Sequence, residues 1–525
     1  MNQAIARTLV RAGALLTLSL PAACERGTAP FLAEYPAIDL LVENGLVLDG
    51  LGTEAVQGDV AIVGDRIVFV GDAAFSEADL RERVRRRIDA ARRYVTPGFV
   101  DLHSHGDPFE TPGFENFLAM GVTTITLGQD GSSPDVADLA GWLDQVSASR
   151  TGTNVAMLVG HGTLRNLSGI GLDPDPFPEQ LAGMLELLDR TLPVTFGMST
   201  GLEYNPGLNA RADELTALAE VVGRHDRLIM SHLRNEDDGA LEGSIAELLE
   251  QGRHTRVHIA HLKSVYGKGA GRAEEILSIL DKARDAGIEI SADVYPYTAS
   301  YTGIAIVFPV WAKTEEQFAI ARRERRDELA EYLRQRIQQR NGPEATLLGT
   351  APHTGKTLAD LAFELEMPFE DVLIDVIGPQ GASGAYFVMN DELQSRLIAD
   401  AEVGICSDGS PTGFHPRGHG AFATIIEDYV VGRGLLTLPE AVRKMTAFAA
   451  GILGIVDRGV LRAGMKADVL VFDPAKVRAL ATYPDPLQLA EGFDLVIVNG
   501  RIAREEGRLA DGRFGQVLKP ASGSD

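Results

Sequence analysis

The stretch Thr96-Pro97-Gly98-Phe99-Val100-Asp101-Leu102-His103-Ser104-His105 decides how the chain is read. It has the pattern of a short apolar strand ending in two histidines one residue apart. Side chains alternate faces along a strand, so positions i and i+2 point the same way. His103 and His105 can therefore converge on one point, as two ligands of a single metal ion must. Pro97-Gly98 is a turn signal that fixes where the strand begins. A His-x-His pair is weak evidence alone; its weight comes from what the rest of the chain sets beside it.

Beyond this stretch, apolar strands alternate with helical patterns. Candidate strands are 99–103, 123–127, 154–159, 194–198, 228–232, 256–261, 289–293 and 403–406, with helices such as 134–149, 178–190 and 271–286 between them. Eight strands alternating with helices is the arithmetic of a (β/α)8 TIM-like barrel, placed at 98–455. The long gap before the eighth strand holds charged helical sequence, especially 314–340. It predicts an insertion over about 300–395, either a helical lid on the barrel mouth or a subdomain without that role. The two chain ends have another texture. Runs such as 39–50 and 495–502 are short apolar strands broken by Asn-Gly and Asp-Gly turns. Residues 36–97 and 456–520 are expected to pair as one small β-sandwich. The fold class is α/β.

A formal net charge of −25 argues against nucleic acid and anionic membrane surfaces as partners. Cys24 and Cys406 are the two cysteines, so no disulfide framework is expected. Arg7 and Arg11 precede the apolar run 14–20, and Pro21-Ala22-Ala23-Cys24 supplies small residues for cleavage. That run is too short to span a bilayer. Residues 1–24 are read as a signal peptide, giving a periplasmic or secreted protein with no transmembrane helix once cleaved. A lipid anchor at Cys24 stays open, because Pro21 stands where such signals usually carry leucine.

Active-site groups of such barrels sit at the C-terminal ends of strands. Those ends carry His103 and His105, Asp130, His232, His261 and Asp408. A lone buried histidine is usually a core residue; four histidines and two aspartates at strand ends point to a metal site. Imidazoles with carboxylates suit zinc or a similar borderline ion.

These stretches resemble the amidohydrolase superfamily and, within it, the D-aminoacylase (N-acyl-D-amino-acid deacylase) family. The matching segments are "TPGFVDLHSHGD", "GVTTITLGQDG", "GHGTLR", "STGLEYNPG", "SHLRNE", "AHLKS", "ADVYPYTAS", "SDGS", "HPRGHG" and "GVLRAGMKADVLVFDP". The resemblance implies metal-dependent hydrolysis of the amide of N-acyl-D-amino acids. One departure matters: Asp130 stands where the family commonly has a cysteine ligand. Asp130 is then expected to bridge two ions, one held by His103, His105 and Asp408, the other by His232 and His261. The alternative is one tightly occupied site with the second partly filled.

Asp408 is placed to take a proton from the attacking water and return it to the leaving amine; as a plain residue it would be a turn cap. The resemblance assigns Tyr204, Lys263 and Arg417 to the substrate carboxylate, against surface solvation for the two cations. His161 either contacts substrate or supports its loop. Arg234, Asn235 and Glu236 either orient a ligand or form a salt bridge. His415 and His419 are read as loop structure, and Cys406 as core. Competing functions are a dipeptidase for L-Xaa-D-Xaa dipeptides and a hydantoinase- or dihydroorotase-like cyclic amidase. The latter is disfavoured because residues 196–199 offer no bridging lysine. A binding protein on a retired enzyme scaffold is disfavoured by the complete ligand set. The acyl group, side-chain preference and oligomeric state stay open.

Overall fold

The computed structural model describes residues 34–72 and 75–521. The expected signal peptide, with Cys24, lies outside the described residues. The centre of the molecule is built from eight parallel strands. They are β1 (Phe99–Asp101), β2 (Val122–Leu127), β3 (Asn154–Met157, resumed at Val159–Gly160), β4 (Gly197–Gly201), β5 (Leu228–His232), β6 (Arg256–Ile259), β7 (Ile290–Val294) and β8 (Val403–Ile405). β1, β2 and β3 form one parallel sheet, and Val159–Gly160 with β4 to β8 another, in that order. Backbone bonds join the two. Phe196 N donates to Met157 O at one seam; at the other, Asp408 N donates to His103 O and His105 N to Gly409 O.

β2, β3, β4 and β5 are buried along their whole length. That is what a parallel sheet covered by helices requires, and it explains why these segments read as unbroken apolar runs. The covering helices are two-faced. In α1 (Pro178–Thr191), Met184, Leu187 and Leu188 turn inward, and a proline opens the first turn. In α2 (Ala212–Arg224), Leu215, Leu218 and Val222 do the same. The fourth strand starts later than its apolar run suggests, because Leu192–Val194 is spent on a single 3-10 turn opened by Pro193.

Strands from the two chain ends pair in one nine-stranded sheet that turns back on itself. Tyr94–Pro97 lies between Leu40–Val47, parallel, and Val469–Phe472, antiparallel. The far edge returns: Arg66 bridges Lys466, and Ile67 N donates to Met465 O. Val60, Ile62, Val95, Val469 and Leu495 fill the space inside. Phe99 fastens this sheet to β1, with Phe422, Phe472 and Phe493 packed on it at ring-centroid distances of 5.8, 6.3 and 5.8 Å. At the junction Gly98 is required, since a Cβ there would lie 2.1 Å from Thr123 Oγ1.

The insertion is not purely helical, which corrects the expectation of a helical lid. Ser300–Gly303, Ser383–Tyr386 and Thr346–Leu348 form a three-stranded antiparallel sheet. Short strands from sequence-distant segments leave no hairpin signal, so these were not legible. Glu315–Glu324 and α3 (Arg326–Gln339) pack over the sheet around a separate core that includes Leu329, Leu333, Leu348 and Tyr386. No helix among the described residues is long and apolar enough to cross a membrane.

Candidate active site

The C-terminal ends of the parallel strands converge on one cavity. It is lined by His105, Asp130, His232, His261 and Asp408 from the strand ends, and by Tyr301, Thr302 and Arg340 from the insertion. Three of the convergent residues leave their strands in the left-handed region: Asp130 at φ 53°, His261 at 38° and Asp408 at 49°. Such backbone costs roughly 1–3 kcal/mol per non-glycine residue and persists where surrounding structure enforces it, often at functional sites. Gly128 permits the turn before Asp130, because a Cβ there would lie 2.0 Å from Leu158 O.

Asp130 occupies the middle of the cluster. Its Oδ1 lies 3.4 Å from His103 Nε2, 3.3 Å from His261 Nε2 and 3.7 Å from His232 Nδ1, while Oδ2 lies 3.4 Å from His105 Nε2. Asp408 Oδ1 lies 3.2 Å from His105 Nε2 and 3.7 Å from His103 Nε2. Two ligand groups therefore share Asp130: one with His103, His105 and Asp408, the other with His232 and His261. Glu203 and Glu236 flank His232 at 3.2 and 3.8 Å.

The donor set fits a divalent cation. His103 is fully buried, and neither ring nitrogen has a hydrogen-bond partner. Burial holds this ring below the usual imidazole range despite nearby Asp130 and Asp408, leaving it neutral with a free lone pair. Burial also opposes charge on His232, but Glu236, Asp130 and Glu203 outweigh it and push the ring up to about 10. His105 is raised to about 9 in the same way by Asp130 and Asp408. Asp408 would be raised by burial, yet Arg417 and the neighbouring histidines hold it well below the carboxylate range. Five carboxylates, Asp130, Asp408, Glu203, Glu236 and Asp237, line the cavity with the three cations Lys263, Arg417 and Arg340. With the histidines neutral, as ligands must be, the excess is two negative charges, which one divalent ion neutralises.

The residues expected around the substrate are placed unequally. Tyr204 lines the cavity, its ring 4.5 Å from His232, and its hydroxyl accepts from Thr302 Oγ1 at 3.2 Å. Lys263 and Arg417 are 4% and 5% exposed, so neither is a solvated surface cation. Lys263 Nζ donates to Glu236 at 2.8 Å and lies 2.7 Å from His261 Nδ1. Arg417 pairs with Asp408 Oδ2 at 2.6 Å and donates to Tyr301 O. His161 is fully buried and is not among the residues lining this cavity; its Nε2 lies 2.7 Å from Glu214, whose other oxygen pairs with Arg165.

Glu236 resolves into a buried partner of Lys263, while Arg234 pairs outward with Glu247. His415 bonds Ala299 O and accepts from Arg417 N, so it braces the loop as expected, although it also lines the cavity. Cys406 is core. Glu203 was missed because β4 ends at Gly201, three residues beyond its apolar run; Tyr301 and Arg340 were missed because they belong to the insertion.

A model of the amidohydrolase family matches residues 312–504. The N-acyl-D-glutamate deacylase of Alcaligenes xylosoxydans xylosoxydans is 33% identical over 493 residues, covering 88% of this chain and 93% of the relative. The crystal structure of N-acyl-D-glutamate deacylase from Bordetella bronchiseptica, complexed with zinc and a phosphonate mimic of the tetrahedral intermediate, superposes with a TM-score of 0.78. It is 30% identical and covers 92% of this chain and all of that one. A D-aminoacylase with a binuclear metal centre, in which one metal activates and the second attenuates, also gives 0.78 at 28% identity, with the same coverage. The chain belongs to the D-aminoacylase (N-acyl-D-amino-acid deacylase) family of the amidohydrolases.

Proposed function

We propose that this protein hydrolyses the amide of N-acyl-D-amino acids, releasing a carboxylic acid and a D-amino acid, with one or two zinc ions per subunit. The observation that carries this is Asp130, within 3.7 Å of four histidines at the floor of the cavity. His103, His105 and Asp408 would hold one ion and His232 and His261 the other, with Asp130 between them. Bound zinc polarises the scissile carbonyl and acidifies water.

Asp408 is the catalytic carboxylate. Its ionised Oδ1 accepts a proton from the attacking water and delivers it to the nitrogen of the departing amino acid. Arg417, bonded to Oδ2, fixes that orientation. The substrate carboxylate takes its counter-charges from Arg417 and Lys263. Tyr204 keeps its hydroxyl proton free to donate, because the oxygen already accepts from Thr302.

The frame for this chemistry is read as a (β/α)8 barrel over 98–455, flanked by a β-sandwich of 36–97 and 456–520. The insertion acts as a lid, supported by Tyr301, Thr302 and Arg340 reaching the cavity. Export by residues 1–24 belongs to the same proposal, and N-terminal sequencing of the mature protein tests it. The activity is tested with N-acetyl-D-, N-acetyl-L- and L-aminoacyl-D-amino acids, separating products by chiral chromatography. Turnover of the N-acetyl-D members is expected. Turnover confined to dipeptides moves the function to a dipeptidase, and L-selectivity defeats it.

A further inference from the structure

Three cations line the cavity: Lys263, Arg417 and Arg340. The first two are paired with Glu236 and Asp408. Arg340 is 3% exposed, its Nε has no hydrogen-bond partner, and no carboxylate pairs with it among the described residues. Its neighbour Arg336, one turn back, does have an acidic partner, Asp237 at 2.7 Å. The hydrogen-bonding side-chain neighbour of Arg340 is the neutral Tyr266 hydroxyl, and a buried guanidinium without a counter-charge is costly.

Packing does not account for the position. Arg340 caps the C-terminus of α3, where a cation gains from the helix dipole. An exposed side chain would gain the same without being desolvated. Its guanidinium lies 4.9 Å from the Tyr386 ring, whose hydroxyl is likewise buried without a partner. Lys313, also on the insertion, is held below the usual lysine range first by burial and then by Arg336 and Arg340, against Glu203. The insertion side of the cavity is thus cationic, whereas the strand-end side is crowded with carboxylates.

We propose that Arg340 binds the side-chain carboxylate of the substrate, so that the preferred substrates are N-acyl derivatives of acidic D-amino acids. This rests on the deacylase reading and extends it. The α-carboxylate has its own cations in Lys263 and Arg417, which touch the candidate ligands His261 and Asp408. Arg340 touches none of them and comes from a separate element, as a second recognition point must. A guanidinium fork suits a carboxylate better than an uncharged amide.

The test compares N-acetyl-D-glutamate with N-acetyl-D-glutamine, equal in shape but different in charge, using zinc-loaded enzyme. The wild type should favour the acid by about 100-fold in kcat/KM, as expected where a buried polar group is left unmatched by the wrong substrate. Arg340→Met should collapse that ratio, mainly through KM, and Arg340→Lys should restore part of it. A wild-type ratio near one overturns the proposal without any variant, and so does a ratio that Arg340→Met leaves unmoved. Calorimetric binding of free D-glutamate and D-glutamine separates the subsite from the activity. If neither acylated compound is hydrolysed, the deacylase reading fails, yet D-glutamate binding lost in Arg340→Met still supports the subsite. Equal binding of the two amino acids by wild type overturns it.

Discussion

Loading zinc into the metal-free protein should release protons, and the histidines give the size of the effect. Without metal, His232 is pushed up to about 10 and His105 to about 9 by the carboxylates around them. At pH 7 both rings are therefore protonated, whereas a metal ligand must offer a bare lone pair. Displacing a proton from a group of pKa about 10 at pH 7 costs about 4 kcal/mol, at 1.36 kcal/mol per unit. His105 has 35% of its side chain exposed, so solvent screening reduces its share to about 1 kcal/mol. The two together, about 5 kcal/mol, weaken zinc binding at pH 7 by between three and four decades relative to the deprotonated site. Protons compete with the ion, so affinity must rise with pH up to about 9 and then level off by about 10. Titration calorimetry of zinc into chelator-treated protein, in buffers of different ionisation enthalpy, counts the protons directly. Release of about two per filled pair of sites at pH 7 is expected. Heats that do not depend on the buffer, or an affinity flat between pH 6 and 8, would refute the electrostatic reasoning.

Other perturbations separate the remaining roles. Asp408→Asn keeps the shape but loses the proton acceptor, and should lower kcat by about 1,000-fold or more with an unchanged circular dichroism spectrum; near-normal turnover removes it from the mechanism. Asp130→Asn should lower the zinc content of both sites, because its carboxylate stands in both ligand groups, while His232→Gln should deplete one. Loss of metal in Asp130→Asn matched by no loss in His103→Gln would point to a single site instead. His419 is 4% exposed and held down to about 4 by burial. The unfolded chain binds its proton from about pH 6.5 downward and the folded protein only near 4, so stability falls as pH drops through that window. Between pH 7 and 4.5 urea unfolding should show wild type losing about 2 kcal/mol more than His419→Asn; equal losses would contradict this.

Much of the site was legible because strand geometry leaves few choices. His103 and His105 lie past the end of β1 at Asp101 rather than on it, yet both reach Asp130 as the alternation rule anticipated, and the single histidines closing the fifth and sixth strand runs face the same centre. Asp130 and Asp408 were reachable by the same rule, although the left-handed backbone that aims them leaves no trace in the residue type. What was not legible depends on contacts between distant segments. His161 stayed open between substrate contact and loop support because its partner Glu214 lies 53 positions away on another helix. Glu203 stood unnoticed beside Tyr204 because the fourth strand runs to Gly201, three residues past the apolar run that marked its expected end. Arg340 follows a charged helix whose other arginines, Arg326, Arg334 and Arg336, are exposed or half-buried, and only the packing of the insertion reveals it as buried. The antiparallel strands of the insertion were hidden likewise, as Ser300–Gly303 pairs with Ser383–Tyr386 across some eighty residues.

The central claim is that zinc held around Asp130 supports hydrolysis of N-acyl-D-amino acids. Its most direct test is to add zinc stepwise to the metal-free protein and follow N-acetyl-D-glutamate and N-acetyl-L-glutamate hydrolysis at each step. Activity on the D compound should be absent at the start and appear with the first one or two equivalents, with the L compound left intact. Full activity before zinc is added, or zinc bound in stoichiometric amount with no turnover of any N-acyl-D-amino acid, would contradict it.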